Sequence, residues 1–146
     1  MKIVDLLKRE SVELNGKVTS KPEAIEKMVA LMADGGNLAD VEAYKTGVFA
    51  REAKSTTGIG EGIAIPHAKT AAVKAPGLAA MVVKDGVDYA SLDGEPAKPI
   101  FLIAAPDTEE YVHLEVLSRL SMLIMDPEFR TGLMEPETVD YFLKCI

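Results

Sequence analysis

Apolar residues in this chain recur at two periods, and the change from one to the other marks out its elements. A short apolar start, Ile3 to Leu7, is followed by Val12-Glu13-Leu14, whose alternation predicts a brief edge strand. Ile25, Met28, Val29 and Met32 then fall on one helical face. Ser20 stands three residues before Glu23, the spacing of a capping box, and Pro22 is tolerated in a first turn. Asp34-Gly35-Gly36 stops that helix. Asn37, with Asp40 three residues on, predicts a second helix start, and the stripe Val41, Tyr44, Val48 is continued by the charged Arg51.

From Ser55 to Gly62 the chain becomes small and turn-prone, STTGIGEG. Ile63-Ala64-Ile65 predicts an extended segment running into Pro66 and His67; proline brings no ladder donor, so this is an edge strand or the end of one. Gly77 to Val83 reads as a strand, Asp85-Gly86 as a hairpin turn before Val87 to Tyr89, and Asp93-Gly94 as a second turn. Pro99 to Pro106 is apolar on both faces, which predicts a central, fully buried strand. Asp107 or Thr108 caps a helix carrying Val112, Val116, Leu120 and Leu123 on one side. Asp126-Pro127 opens a short helix to Met134, and Pro136 a last one through Leu143. With no repeat and no linker, residues 1–146 read as one α/β domain, a mixed parallel and antiparallel sheet flanked by helices.

Composition narrows what such a domain does. With 48% hydrophobic and 27% charged residues over 146 positions, the chain is globular and long enough for a core without staples. Cys145 is the one cysteine, which excludes an intrachain disulfide and a four-cysteine zinc site; no base or helix start beside it activates the thiol. A net charge of -7 counts against nucleic acid and against an anionic membrane surface. No run approaches the ~18 apolar residues of a membrane span, and MKIVDLLKRESVEL has no cleavable apolar core, so a soluble cytoplasmic protein is expected.

His67 carries the most chemical information. It follows a glycine-dense loop (Gly58, Gly60, Gly62) and a proline-locked strand end. Neutral imidazole is nucleophilic near pH 7 and can carry a labile phosphoryl group. Glycines permit close backbone approach and anion-cradling N–H nests, and Thr56 and Thr57 could add hydroxyl donors, so Thr56, Thr57, Gly58 and Gly60 are candidate phosphoryl-binding residues. The plainer alternative is a histidine that packs or caps a loop. GIGEGI fails the GxGxxG pattern at its sixth position and no GxxxxGK[ST] exists, so a phosphoryl group would arrive on another molecule rather than on a bound nucleotide.

Arg51, aligned with Val41, Tyr44 and Val48, is expected to point inward, where either a carboxylate pairs with it or an anion does. His113 shares a helix face with Leu117, Leu120 and Ile124; it is either a satisfied core histidine or a partner of His67. No HExxH or clustered acids accompany either histidine, so neither a metal nor another cofactor is expected. Glu109-Glu110 suits a first helical turn, and Met122 to Met125 reads as core, part of it available to a partner surface.

The run Arg51-Glu52-Ala53-Lys54-Ser55-Thr56-Thr57-Gly58-Ile59-Gly60-Glu61-Gly62-Ile63-Ala64-Ile65-Pro66-His67-Ala68-Lys69 resembles the enzyme IIA domain, fructose/mannitol type, of the bacterial sugar phosphotransferase system. The resemblance continues through Asp93-Gly94, Ile103-Ala104-Ala105-Pro106 and His113-Leu114-Glu115-Val116-Leu117, covering nearly the whole chain in the family's order. It implies that the phosphorylated histidine is His67, the second active-site histidine His113 and the active-site arginine Arg51. It implies a donor, the histidine-containing phosphocarrier protein, and an acceptor, a cysteine of an enzyme IIB domain that works with a membrane IIC permease, with fructose as the expected sugar. These 146 residues leave no room for IIB and IIC. The chain departs from the pattern at Glu61, where many relatives carry Asn; a carboxylate there must point outward or repel the phosphoryl group. An exposed apolar patch around His67 is expected, since two partners must take turns there. Two other readings are a regulatory member of the nitrogen-related branch and a histidine-dependent phosphohydrolase. Ala68-Lys69 looks more like the sugar-transport branch, and the last needs a water-activating acid near His67.

Overall fold

The computed structural model describes residues 3–108, 112–134, 136 and 138–145, with residues 3, 112, 113 and 145 as backbone alone. Strand β6 (Ala97–Ala105) organises the sheet. Ile100, Leu102 and Ala104 belong to one apolar cluster, Phe101 and Ile103 to the other, which is why this segment is apolar at successive positions. On one side of it β5 (Gly77–Val87) runs antiparallel. On the other side β3 (Ile63–Ala64) and β4 (His67–Lys69) both run parallel to it. β1 (Leu7–Glu13) adds in parallel to β5 at one edge, and β2 (Gly58–Gly60) pairs antiparallel with β3 at the other. The sheet is therefore mixed, as expected.

Helices α1 (Lys21–Asp34) and α2 (Val41–Lys54) cover one face. Helices α3 (Val112–Ile124), α4 (Pro127–Met134) and α5 (Val139–Cys145) cover the other. Phe142 of α5 stacks on Phe101 at 6.1 Å between centroids, fixing the last helix to the central strand. The α1 cap forms: Ser20 Oγ accepts from Glu23 N at 3.3 Å, while the Glu23 carboxylate accepts from Thr19 N at 3.0 Å instead of from Ser20. Among the described residues no helix is long and apolar enough to cross a membrane.

Five local expectations are corrected. Asp85-Gly86 makes no hairpin: β5 runs through it, and Gly86, at φ +78, takes up a slip in register with β6 between Val82 and Val87. An Asp-Gly pair satisfies a bulge as readily as a turn, because both need a residue at positive φ. The chain reverses through residues 88–96 instead, where Gly94 N donates to Ser91 O at 3.0 Å. Asn37 does not start α2; buried, it donates to the Ala75 and Pro76 carbonyls at 3.3 and 3.0 Å, and Asp40 is the cap, accepting from Ala43 N at 3.0 Å. β1 begins at Leu7, well before Val12. The last helix starts at Val139, capped by Thr138 Oγ1 accepting from Tyr141 N at 3.1 Å, and not at Pro136. Met122 and Met125 are 64% and 80% exposed, because Val116, Leu120 and Ile124 take the inward face.

Candidate functional site

Pro66 determines how His67 is presented. Lacking an N–H, it interrupts the ladder between Ala64, opposite Ile100, and His67, opposite Ile103, while its own carbonyl accepts from Ile103 N at 3.0 Å. Ile103 belongs to the face covered by α3–α5, so residue 67 leaves the sheet on that side. Helix α3 packs against β4 there, and His113 is its second residue; the His113 side chain lies outside the described residues.

His67 is half-buried. Its Nδ1 lies 3.1 Å from the Ile65 carbonyl oxygen. A carbonyl only accepts, so Nδ1 carries the proton and the lone pair sits on Nε2. Burial pushes the imidazole below its ordinary pKa of 6.5; the Arg51 charge acts in the same direction, while the Ile65 carbonyl and the Glu52 carboxylate oppose it. The net result is a ring that is neutral at neutral pH, the protonation state a nucleophile needs.

A groove of about 340 Å³ lies against His67, lined by Gly47, Ala50, Arg51 and Lys54 of α2 and by His67, Ala68 and Lys69 of β4. Among the described residues three cations and no carboxylate line it, in a chain of net charge -7. That lining is small and cationic, and Leu114, 51% exposed, follows His113 at the start of α3. Arg51 is half-buried rather than inward: its Nη1 donates to Ser55 O at 2.9 Å and lies 3.4 Å from Ser55 Oγ. Among the described residues no carboxylate forms an ion pair with it.

The threonine and glycine candidates fall elsewhere. Thr57 Oγ1 donates to Glu52 Oε1, and Thr57 N to Glu52 Oε2 at 3.2 Å. Thr56 Oγ1 donates to Tyr89 O at 3.1 Å and accepts from Gly58 N at 3.1 Å. A Cβ on Gly58 would come within 2.5 Å of Ser91 Oγ, and one on Gly60, at φ +97, within 2.9 Å of Asp93 Oδ2. These hydroxyls and glycines let the β2–β3 hairpin pack on residues 91–93, and none of Thr56, Thr57, Gly58 and Gly60 lines the groove. Glu61 does turn outward: its carboxylate is 66% exposed, 3.9 Å from Arg130 Nε, at a residue held at φ +57.

Sequence reasoning missed the residue beside Arg51. The Glu52 side chain is 5% exposed, with Lys21 Nζ at 2.9 Å and the Tyr89 hydroxyl donating to it at 3.1 Å. Lys21 also sits 4.6 Å from the centroid of the Tyr89 ring. Residues 21, 52 and 89 lie far apart along the chain, and no spacing links them. Among the described residues no group of three His, Cys, Asp or Glu side chains is placed to hold a metal ion.

An α/β domain with a neutral histidine at a broken strand, beside an arginine and two lysines, is one shaped to hold an anion against an imidazole. Over residues 5–146 the chain matches the family described as phosphoenolpyruvate-dependent sugar phosphotransferase system, EIIA 2, and it belongs to that family. It is 49% identical over 146 residues to the PTS system fructose-specific EIIABC component of Bacillus subtilis; this is all of the chain but only 23% of that protein. Its fold matches the nitrogen regulatory protein IIA-Ntr from Neisseria meningitidis with a TM-score of 0.90 at 29% identity, covering 98% of this chain and 97% of that one. It also matches enzyme IIA mannitol of Escherichia coli, solved in complex with phosphorylated enzyme IIB mannitol, with a TM-score of 0.83 at 26% identity over 96% and 97% of the two chains.

Proposed function

We propose that this domain carries a phosphoryl group on His67, taking it from the histidine-containing phosphocarrier protein and passing it to a cysteine of an enzyme IIB domain, for fructose uptake through a IIC permease. The observation that carries this reading is His67 itself, protonated at Nδ1 and lining a groove with Arg51, Lys54 and Lys69. In the first transfer the Nε2 lone pair forms a bond to phosphorus as the donor's N–P bond breaks. No proton needs to move: the donor ring leaves neutral, and His67 takes on imidazolium charge with its Nδ1–H still held by Ile65 O. In the second, a thiolate sulfur bonds to phosphorus, the N–P bond breaks, and the lone pair returns to Nε2. Transfer between two imidazoles is nearly balanced in energy, so the domain's task is alignment, exclusion of water and cover for the charge on the equatorial oxygens. Arg51 supplies that cover from α2; His113, at the start of α3, is proposed to supply it from the opposite side.

The fructose-specific relative supports the sugar assignment, and the mannitol complex supports a IIB partner. The test is labelling by the purified, phosphorylated carrier. Wild type takes up label that is acid-labile and maps to His67, and His67→Ala takes up none while keeping its far-UV spectrum. Equal labelling of the two proteins overturns the reading. The likeness to a nitrogen regulatory protein carries a second reading, a regulator that is phosphorylated but does not pass the group on. Transfer of label onward to a fructose-type IIB excludes it.

A further inference from the structure

A carboxylate that is 5% exposed needs a reason, because burying an ion costs several kcal/mol unless its oxygens are well supplied with donors. Glu52 is well supplied: Lys21 Nζ and Thr57 N reach Oε2 at 2.9 and 3.2 Å, and the Thr57 and Tyr89 hydroxyls reach Oε1. The position of this cluster in the fold gives it a consequence beyond packing. Thr57, whose N–H donates to Glu52, accepts through its carbonyl from Ile65 N at 3.0 Å. Ile65 in turn accepts through its carbonyl from His67 Nδ1 at 3.1 Å. Three hydrogen bonds thus tie Glu52 to Thr57, Thr57 to Ile65 and Ile65 to the imidazole, residue by residue, so a shift at one is passed on as a shift in position at the next.

We propose that Glu52 is a positioning residue for His67, holding the ring as its Nδ1–H tautomer by fixing the backbone of Thr57 and, through it, that of Ile65. Anchoring Thr57 fixes Ile65 through its N–H and so fixes where the Ile65 carbonyl stands, while the Glu52 charge favours a proton on the ring through space. The Ile65 carbonyl then keeps the proton on Nδ1, and the reacting lone pair stays on Nε2. The same carboxylate, through space, favours the positive charge that the ring acquires on phosphorylation. Glu52 also sits next to Arg51 on the last turn of α2, so one anchored turn fixes both the imidazole and the guanidinium that faces the groove. This inference rests on the reading of His67 as the accepting residue.

The test compares Glu52→Gln with Tyr89→Phe in the full chain. Glu52→Gln keeps the volume and removes the charge; Tyr89→Phe removes one donor to the same carboxylate but leaves the charge and both Thr57 contacts. The ring ¹⁵N shifts of His67 report the tautomer, and labelling by the phosphorylated carrier reports the rate. Glu52→Gln is expected to shift the ring toward a mixture of tautomers and to slow acceptance about tenfold, the scale on which partners behind a working histidine act. Tyr89→Phe is expected to lower the melting temperature without moving either readout. Glu52→Asp keeps the charge one methylene further from Thr57 and should fall between wild type and Gln, which also covers a Gln variant that does not fold. A wild-type tautomer and rate in Glu52→Gln, or an equal loss in Tyr89→Phe, overturns the proposal. If wild type takes up no label at all, the carrier reading fails, while the ring shifts still judge the role of Glu52.

Discussion

Replacing Arg51 with Ala separates stability from transfer. In the folded chain the guanidinium donates to Ser55 O at 2.9 Å and lies 3.4 Å from Ser55 Oγ, both at the solvent-facing end of its own helix. Contacts of that kind contribute about 0.5 kcal/mol after solvent competition, so Arg51→Ala is expected to melt roughly 2 °C lower. The effect on transfer is of another order. A preorganised donor aimed at developing charge is worth about 3 kcal/mol, or roughly 10²-fold in rate. A second effect must be kept apart from this one. The Arg51 charge helps to hold the His67 pKa down, so removing it lets the pKa rise and protonates more of the ring in mild acid. Rapid-quench measurement of phosphoryl acceptance at pH 8, where the ring is neutral in both proteins, isolates the stabilisation of the phosphoryl oxygens. Arg51→Lys, which keeps a charge but not the planar fork, should recover only part of the loss. A rate within about threefold of wild type at pH 8, beside a melting temperature several degrees lower, would make Arg51 a helix cap and refute the reasoning.

Two further outcomes follow from the site. The His67 pKa is depressed, so acceptance should persist as pH falls through the ordinary 6.5 and fail only below it; stability linked to this ring is fully present above 6.5 and is lost as pH falls toward the folded value, because the unfolded chain binds the proton first. An NMR titration of His67, with pH–stability profiles of wild type and His67→Ala, checks both signs, and a titration midpoint above 6.5 contradicts them. Glu61→Asn should raise stability by about 0.5–1 kcal/mol, since residue 61 sits at φ +57, which costs Asn less than Glu, and the pair with Arg130 at 3.9 Å offsets little. Phosphoryl acceptance should be unchanged, and a lower melting temperature would show that the Arg130 pair dominates.

What could be read from the sequence depended on whether a residue's signal has one physical cause or two. β6 was legible because apolarity at successive positions has one cause in a strand of this length, burial on both faces. Pro66 was legible because a missing N–H can only interrupt a ladder. Asp85-Gly86 misled because a turn and a bulge ask for the same backbone. Gly58 and Gly60 carry the same ambiguity: close approach to Ser91 and Asp93 needs a missing Cβ as much as an anion nest does. Glu52 was invisible, since its environment is assembled from α1, the segment after α2 and Tyr89, and no local pattern encodes it.

The location of the cations shows how this chain would hold an anion. A nest of backbone N–H groups needs no side-chain charge, but here the Gly58 N–H donates to Thr56 and the Thr57 N–H to Glu52. The groove instead adjoins the last turn of α2, the end of a helix that is electrically negative and by itself repels phosphate. Arg51 and Lys54 lie in that turn, where cations stabilise the helix regardless of any ligand, and Lys69 faces the groove from β4. Among the described residues, what the groove offers a phosphoryl group on His67 is therefore side-chain charge working against the end of α2. Such a site is strong only while Arg51 and Lys54 remain fixed. The buried Glu52 between them, tied to α1 through Lys21 and to the His67 segment through Thr57, is the part of the fold that keeps that turn in place.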